Sequence, residues 1–378
     1  MDTKKSDIAI VGAGIVGLAL AYRYAQEGHT VRVFEKDPAA RNASIRNFGL
    51  LWPIGQKSGM MYERAQLSAS IWKEVAPQAK IHLKENGSLH LAYHSDEWQV
   101  LQEFYETTDY AQAHCQLLLP HQCQAKNPYI KPSGLMGGLW SPVEMTVDPR
   151  QALHQLPLFL AEKLGVDFQY GCAIQEVKKG ALKSKAGHWE AEEIFVCTGA
   201  DFEILFPQIF AKMGITKVKL LMMRSSEVTW ELGPSLCGGL TLIHYDAFAH
   251  CAGLEALKKR FEAELPQYLE WGIHVLLAQN HRDELVIGDS HEYGWNPSPF
   301  DQEEVNQLIL SYLNTFIEIP HLQIRERWHG IYPKLSGKTE FYYQIEPGLY
   351  ILNALGGAGM TLSFGTSTEI YQGKLKPG

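Results

Sequence analysis

Several features are missing from this chain, and each absence narrows what it does. No run approaches the ~20 uncharged apolar residues of a spanning helix. There is no internal repeat, low-complexity tract or long linker. Positive charge is not in excess: 34 Lys and Arg stand against 42 Asp and Glu, a net charge of -8. That balance argues against nucleic acid or an anionic membrane surface as the main partner. Cysteine is sparse, and Cys115, Cys123, Cys172, Cys197, Cys237 and Cys251 form no C-x-x-C and have no histidine at ligand spacing. No disulfide framework and no metal site is therefore expected, and reduced, buried thiols fit a cytoplasmic protein.

What is present is a core-forming composition. With 378 residues and 46% hydrophobic content, the chain can bury a large core in two lobes. Its most informative stretch is Gly12-Ala13-Gly14-Ile15-Val16-Gly17, which follows the apolar run Ile8 to Val11 and leads to Glu35. The run reads as a buried parallel strand. Gly12 permits a tight turn, Gly14 lets a pyrophosphate approach the backbone, and Gly17 lets the next helix lie close to the strand. Ala21 and Ala25 continue the same helical face, Gly28 ends the helix, and Val31 to Phe34 reads as a second strand. Glu35 at that strand's end suits the ribose hydroxyls of an adenosine and would repel a 2′-phosphate. Lys4 and Lys5 before an apolar stretch imitate a leader, but the three glycines, Arg23 and Glu35 in register read as a dinucleotide site.

Three further segments favour FAD over NAD. Ala43-Ser44-Ile45-Arg46-Asn47-Phe48-Gly49 is small, polar and glycine-ended, suited to gripping a second phosphate and passing under a flavin ring. Glu193 to Ala200 reads as a buried strand ending in the turn Thr198-Gly199. Gly348 to Asn353 reads as a strand feeding Gly356-Gly357-Ala358-Gly359-Met360-Thr361, a glycine-rich turn that opens a helix toward a flavin carbonyl. Together these segments resemble the FAD-dependent amine and amino-acid oxidase family, over almost the whole chain. Weaker matches are Val147 to Arg150 and Gly288-Asp289-Ser290. Residues 43 to 56 resemble a bacterial branch associated with aminophosphonate breakdown.

The resemblance implies an α/β fold: a Rossmann-like FAD-binding domain with a second, mixed-sheet α+β substrate domain. The FAD-binding domain would be discontinuous, 1–80, 145–215 and 325–378, with 81–144 and 216–324 forming the substrate domain. Within these, 58 to 76 shows helical periodicity and Ile81 to Tyr93 alternates around Asn86-Gly87, which predicts a hairpin. Ser95 suits an N-cap for a helix through Thr107, and Pro149 starts a helix to Lys163 before Gly165. Val218 to Val228 and Glu284 to Gly288 read as strands, and Leu254 to Leu269 as a helix interrupted at Pro266. The expected cofactor contacts are Gly12, Ala13, Gly14, Ile15, Val16, Gly17, Glu35, Lys36, Ser44, Arg46, Asn47, Gly49, Leu50, Thr198, Gly199, Gly356, Gly357, Gly359, Met360 and Thr361. No cysteine follows Cys251, so FAD is expected to be held non-covalently.

The implied reaction moves a hydride from the carbon beside an amine to the flavin, and the imine then hydrolyses. A desolvated pocket keeps the amine neutral, so no dedicated base is required. Relatives of this kind hold a substrate carboxylate with a cation near the C-terminal glycine turn, yet Gly357 to Leu362 and Leu51-Trp52-Pro53 carry none. A simple α-amino acid is thereby disfavoured, and an aminophosphonate becomes a candidate. Arg224, after Leu220 to Met223, is the expected anion ligand, with Trp52 and Gln56 lining the pocket. His291, His329, Tyr245 and Tyr332 are the candidates for facing the flavin. The partners expected are the small amine and oxygen or another electron acceptor, with the oligomeric state open. Two readings compete: a flavin dehydrogenase of a hydroxy acid or amine using a non-oxygen acceptor, and a flavin-binding scaffold without turnover.

Overall fold

The computed structural model describes residues 4–378. Its first sheet is organised around Lys4–Val11, which pairs in parallel with Val31–Phe34 on one side and Gly187–Val196 on the other. Asp167–Gln169 and Leu349–Asn353 extend the parallel order at either end. Ile8 and Ile10 pack into one core with the helices Ile15–Gln26 and Gly359–Tyr371, while Ala9 and Val11 pack into another with Ile174, Leu182 and Trp189. A strand buried on both faces has no polar side to show, which explains its unbroken apolar run.

The second sheet has nine strands. Ile215–Glu227 lies near one edge, pairing antiparallel with Ile324–Leu335 on one side and with Glu284–Gly288 and Glu292–Gly294 on the other. Leu276–Gln279, Ser235–Cys237, Ser88–Ala92, Gly137–Ser141 and Gln116–Leu118 follow in order. The strand pair Ser235–Cys237 and Ser88–Ala92 is parallel, so the sheet is mixed. Ile324–Leu335 belongs to this second sheet, so the expected boundary at 325 cuts a strand near its start. A small third sheet joins Leu50–Leu51, Met145–Val147 and Leu83–Lys84.

Two local expectations are corrected. Leu83–Lys84 and Ser88–Ala92 do not form a hairpin but enter different sheets. The Asn86 side chain donates to the Gly233 carbonyl at 3.0 Å and so ties the turn to a distant loop. Ser95 is the first residue of its helix, not the cap; the Glu97 carboxylate accepts from the Tyr93 and His94 amides at that end. Elsewhere the local chemistry reads as expected. Asp148 caps Pro149–Leu164 by accepting from the Arg150 and Gln151 amides, and Gly165 in the left-handed region ends it. Pro266 separates Leu254–Glu264 from Pro266–Glu270, and all six cysteines are buried and free.

Candidate active site

The turn after Lys4–Val11 is a cradle only glycine can make. Gly12 has φ of +113°, and a Cβ there would sit 2.3 Å from the Cys197 carbonyl oxygen. A Cβ on Gly17 would lie 2.0 Å from the Gly12 carbonyl oxygen, so the helix Ile15–Gln26 abuts the turn because Gly17 lacks one. Ser44 leans over this helix start: its Oγ accepts from the Ile15 amide at 3.0 Å. Glu35 Oε2 accepts from the Ala13 amide at 3.0 Å and Oε1 from the Asp37 amide at 3.1 Å. Two amides fix the carboxylate while its remaining lone pairs are left for ribose hydroxyls.

Three adjoining cavities continue from this cradle. The first, about 130 Å³, runs past Glu35, Lys36, Gly12, Gly14, Ser44, Thr198 and Gly199. It shares Val16, Ala43, Ser44, Gly199 and Asn353 with the second, of about 100 Å³, which runs along Arg46, Gly356, Gly357 and Gly359. The second shares Asn47, Leu220, Tyr332, Gly356, Gly357 and Met360 with a terminal chamber of about 260 Å³. A glycine cradle, a ribose acceptor and a connected channel fit an extended dinucleotide.

The terminal chamber is lined by Trp52, Gln56, Tyr245, Tyr332, His291 and, from the glycine turn, Gly356, Gly357, Ala358, Met360 and Thr361. It also contains groups the sequence did not single out: His244, His274, Asp289, Lys57, Lys334 and Lys338. The His244 and His274 rings stack at 3.6 Å, and His291 lies 4.7 Å from the first and 5.0 Å from the second. Burial, then neighbouring imidazoles and Lys334, hold the His244 and His274 rings well below their ordinary pKa. Burial likewise pulls His291 down to about 4 and holds the Asp289 carboxyl well above the usual carboxylate range. His274 Nδ1 and Asp289 Oδ1 are 3.1 Å apart but misaligned for a hydrogen bond, so both lack a hydrogen-bond partner. His291 Nδ1 lies 3.0 Å from the Gly272 carbonyl, which only accepts; Nδ1 therefore carries the proton and Nε2 keeps its lone pair. Burial raises the Tyr245 and Tyr332 hydroxyls well above 10, so both remain protonated.

A model of the family described as FAD dependent oxidoreductase matches residues 7–372. This chain belongs to that family. The glycine oxidase of Bacillus licheniformis is 23% identical over 347 residues, covering 88% of this chain and 82% of that protein. An opine oxidase subunit of Rhizobium meliloti is 21% identical over 387 residues, covering 98% and 94%. Among solved structures, glycine oxidase from Geobacillus kaustophilus matches with a TM-score of 0.79 at 18% identity, covering 98% and 94%. L-proline dehydrogenase from P. horikoshii matches with a TM-score of 0.80 at 19% identity, covering 99% and 96%. At such identities the structures establish the shared fold.

As a member of this family the chain is an FAD-dependent oxidoreductase; of the residues expected to contact the cofactor, Ala13, Gly17 and Gly49 line none of the three cavities and the rest do. Gly12, Gly14, Val16, Glu35, Lys36, Ser44, Thr198 and Gly199 line the first cavity, and Ile15, Arg46, Asn47, Gly356, Gly357, Gly359 and Met360 the second. Leu50 and Thr361 line the chamber. Others act by shaping the channel. Thr361 Oγ1 accepts from the Trp52 amide at 3.0 Å, and Asn47 receives the Gly49 amide at 2.8 Å. Arg46 donates to the His329 carbonyl at 3.2 Å, tying the 43–49 segment to the second sheet.

Two expected residues are displaced from the chamber. Arg224 is buried in an ion-pair network with Glu284 at 2.6 Å and Glu326 at 2.8 Å, and it lines none of the three cavities. Its cross-strand neighbour is Glu326 itself, so both terminal guanidinium nitrogens are paired within the sheet, while the buried Nε has no hydrogen-bond partner. His329 pairs with Asp301 at 2.9 Å and is likewise outside the chamber. Gly330, Ile331, Tyr332 and Pro333 all line the channel, whereas the His329 ring is held outside it by Asp301.

No described helix is long and apolar enough to cross a membrane.

Proposed function

We propose that this enzyme oxidises a small amine carrying an anionic group, an aminophosphonate being the candidate class, with oxygen or another carrier as final electron acceptor. One observation carries the reading: Lys334, Lys338 and Lys57 line the terminal chamber with no ion-pair partner among the described residues. An oxidoreductase chamber with unneutralised ammonium groups suits an anionic substrate. The names of the two relatives, a glycine oxidase and an opine oxidase, support an amine as the group oxidised.

FAD held along the channel by the Gly12–Gly17 turn, Glu35 and Ser44 would supply the two-electron oxidant for the carbon beside the nitrogen. Around it, the chain's own groups orient and desolvate. The Tyr332 hydroxyl oxygen would stand 3.5 Å from a Cβ on Gly357, so it overhangs the glycine turn and donates to a group bound there. His291 Nε2 accepts a hydrogen bond from the amine, and the Tyr245 hydroxyl closes the same wall beside Trp52. Trp52 and Tyr245 exclude water, which favours the neutral, reactive form of the amine. Gln56 lines the wall beside them.

Anaerobic mixing of the purified flavoprotein with glycine, sarcosine, D-amino acids, aminoethylphosphonate and its N-methyl and hydroxy derivatives tests the reading. Bleaching of the flavin by an amine, with release of ammonia or methylamine, is expected. Bleaching only by amine-free hydroxy acids such as glycolate, mixed in the same way, would identify a hydroxy-acid dehydrogenase instead. No bleaching by any of them would leave a flavin-binding scaffold.

A further inference from the structure

We propose that the stacked pair His244 and His274, with Lys334, forms a proton-linked subsite for a tetrahedral dianion, taking up one proton from solution as the dianion binds. This rests on the anionic-substrate reading and assigns residues and a charge mechanism to it.

The placement comes first. The two rings are parallel within 6° at 3.6 Å, and both belong to residues lining the chamber that Lys334 also lines. His274 is 3% exposed, and its buried Nδ1 lies 3.1 Å from Asp289 Oδ1 without forming a hydrogen bond to it. An unpartnered polar atom in a dry wall is costly unless a ligand satisfies it. Among the described residues the Lys334 ammonium makes its polar contact with the Tyr293 hydroxyl, at 3.4 Å, and lies over that ring at 5.3 Å. One ammonium and two imidazoles therefore line the same chamber, with the Asp289 carboxyl beside His274 and Asp246 farther along the wall.

The charge on the groups around the pair decides what enters. Facing it are His291, Tyr245, Asp289 and Lys334, with Tyr293 and Tyr332 behind His291 and with Asp246, Lys57 and Lys338 elsewhere on the chamber wall. Burial pushes the Asp289 carboxyl and both tyrosine hydroxyls toward their neutral forms, and Lys334 is the cation on this part of the wall. His244, His274 and His291 bring ring nitrogens within 4.8 Å of one another, close enough to share one small ligand. A divalent cation would face the Lys334 ammonium there, whereas an anion is attracted by it. Without a ligand, burial and Lys334 both disfavour an imidazolium. A dianion reverses that preference: it stabilises one added proton, which the stacked pair shares, and gains a second charged donor. A carboxylate, with one charge and two oxygens, makes less use of this donor set than a phosphonate with three.

Inorganic sulfate is the probe, because it stays a dianion throughout the range used and brings no amine. Its binding to the FAD-loaded protein is followed by the flavin difference spectrum. Affinity should tighten about tenfold per pH unit on going from roughly pH 8.5 to 6.5, the signature of one linked proton. Lys334→Met should weaken binding about 10–100-fold, the loss of one charge-assisted contact. His274→Gln should leave weaker binding with the pH slope abolished; if that variant does not retain FAD, His244→Gln gives the same reading. Absence of sulfate binding, a pH-independent affinity, or binding that requires a divalent cation and is lost to chelator would each overturn the proposal. Sulfate binding as expected, with no amine reducing the flavin, would retain the subsite and overturn the amine reading; the converse result would do the opposite.

Discussion

At the Glu35 end of the channel, recognition is carried by backbone: a glycine turn, a helix start and one carboxylate fixed by two amides. At the chamber end it is carried by side chains from separate parts of the chain: Trp52, Tyr245, His274, His291 and Lys334. Backbone recognition needs consecutive residues of fixed type, because the turn itself is the binding surface. Side-chain recognition needs only that distant residues converge, so substrate preference can change while the cofactor cradle stays the same.

The largest effect should come from breaking the first end. Gly17→Val places atoms against the Gly12 carbonyl, already 2.0 Å from an ideal Cβ, and should abolish FAD retention. A loss of about 4 kcal/mol or more is expected, read as colourless protein after purification. Arg224→Ala should act on neither end. It strips Glu284 of its buried partner and should lower unfolding stability by about 3–5 kcal/mol, leaving KM for anionic and neutral amines in the same ratio. A selective rise in KM for the anionic amine would return Arg224 to the chamber.

Glu35→Arg should weaken FAD binding by about 2–4 kcal/mol through a lost acceptor and a buried clash, measured by titrating apoprotein with FAD. Unchanged affinity would mean that the ribose lies elsewhere. Lys334→Met probes the other end: KM for an anionic amine should rise by a factor equivalent to about 1.5–3 kcal/mol, while a neutral amine of equal size is unaffected. FAD affinity should not change.

The smallest effect is a pH-dependent one behind the chamber wall. Glu144 is fully buried, accepting from the Ile54 amide at 3.0 Å and the Ser88 hydroxyl at 3.1 Å. Burial outweighs these bonds and raises its carboxyl from 4.5 to about 6. A raised folded-state pKa means that the group's stability contribution is complete below its unfolded value and lost as pH rises through about 6. Glu144→Gln removes that dependence, so relative to wild type the variant should gain about 2 kcal/mol between acid and neutral pH. Parallel unfolding curves for the two proteins across that window would contradict the assignment.

The difference between the ends also explains what the sequence revealed. Gly12 to Gly17, Glu35 and Ser44 to Gly49 were legible because each motif's mechanical reason lies in adjacent residues. The helix from Pro149 was legible for the same reason, with Asp148 as cap and Gly165 as stop. Strand partners were not: alternation around Asn86 shows two strands but not that they join different sheets. Placement failed at His329 because its ring partner, Asp301, is distant in the sequence and lies outside the chamber. It failed at Arg224 because Glu326, over a hundred positions later in the chain, lies directly opposite. His244 and His274 each sit singly in apolar sequence, and no local spacing announces that their rings stack.

The most direct test of a channel joining FAD to an anion-bearing amine is the anaerobic flavin reduction rate for two matched substrates. One is N-methyl-aminoethylphosphonate; the other is a neutral N-methylamine of similar length. The phosphonate should reduce the flavin far faster at equal, subsaturating concentration, and the advantage should shrink in Lys334→Met. Equal rates for both amines, or faster reduction by the neutral one, would contradict the account.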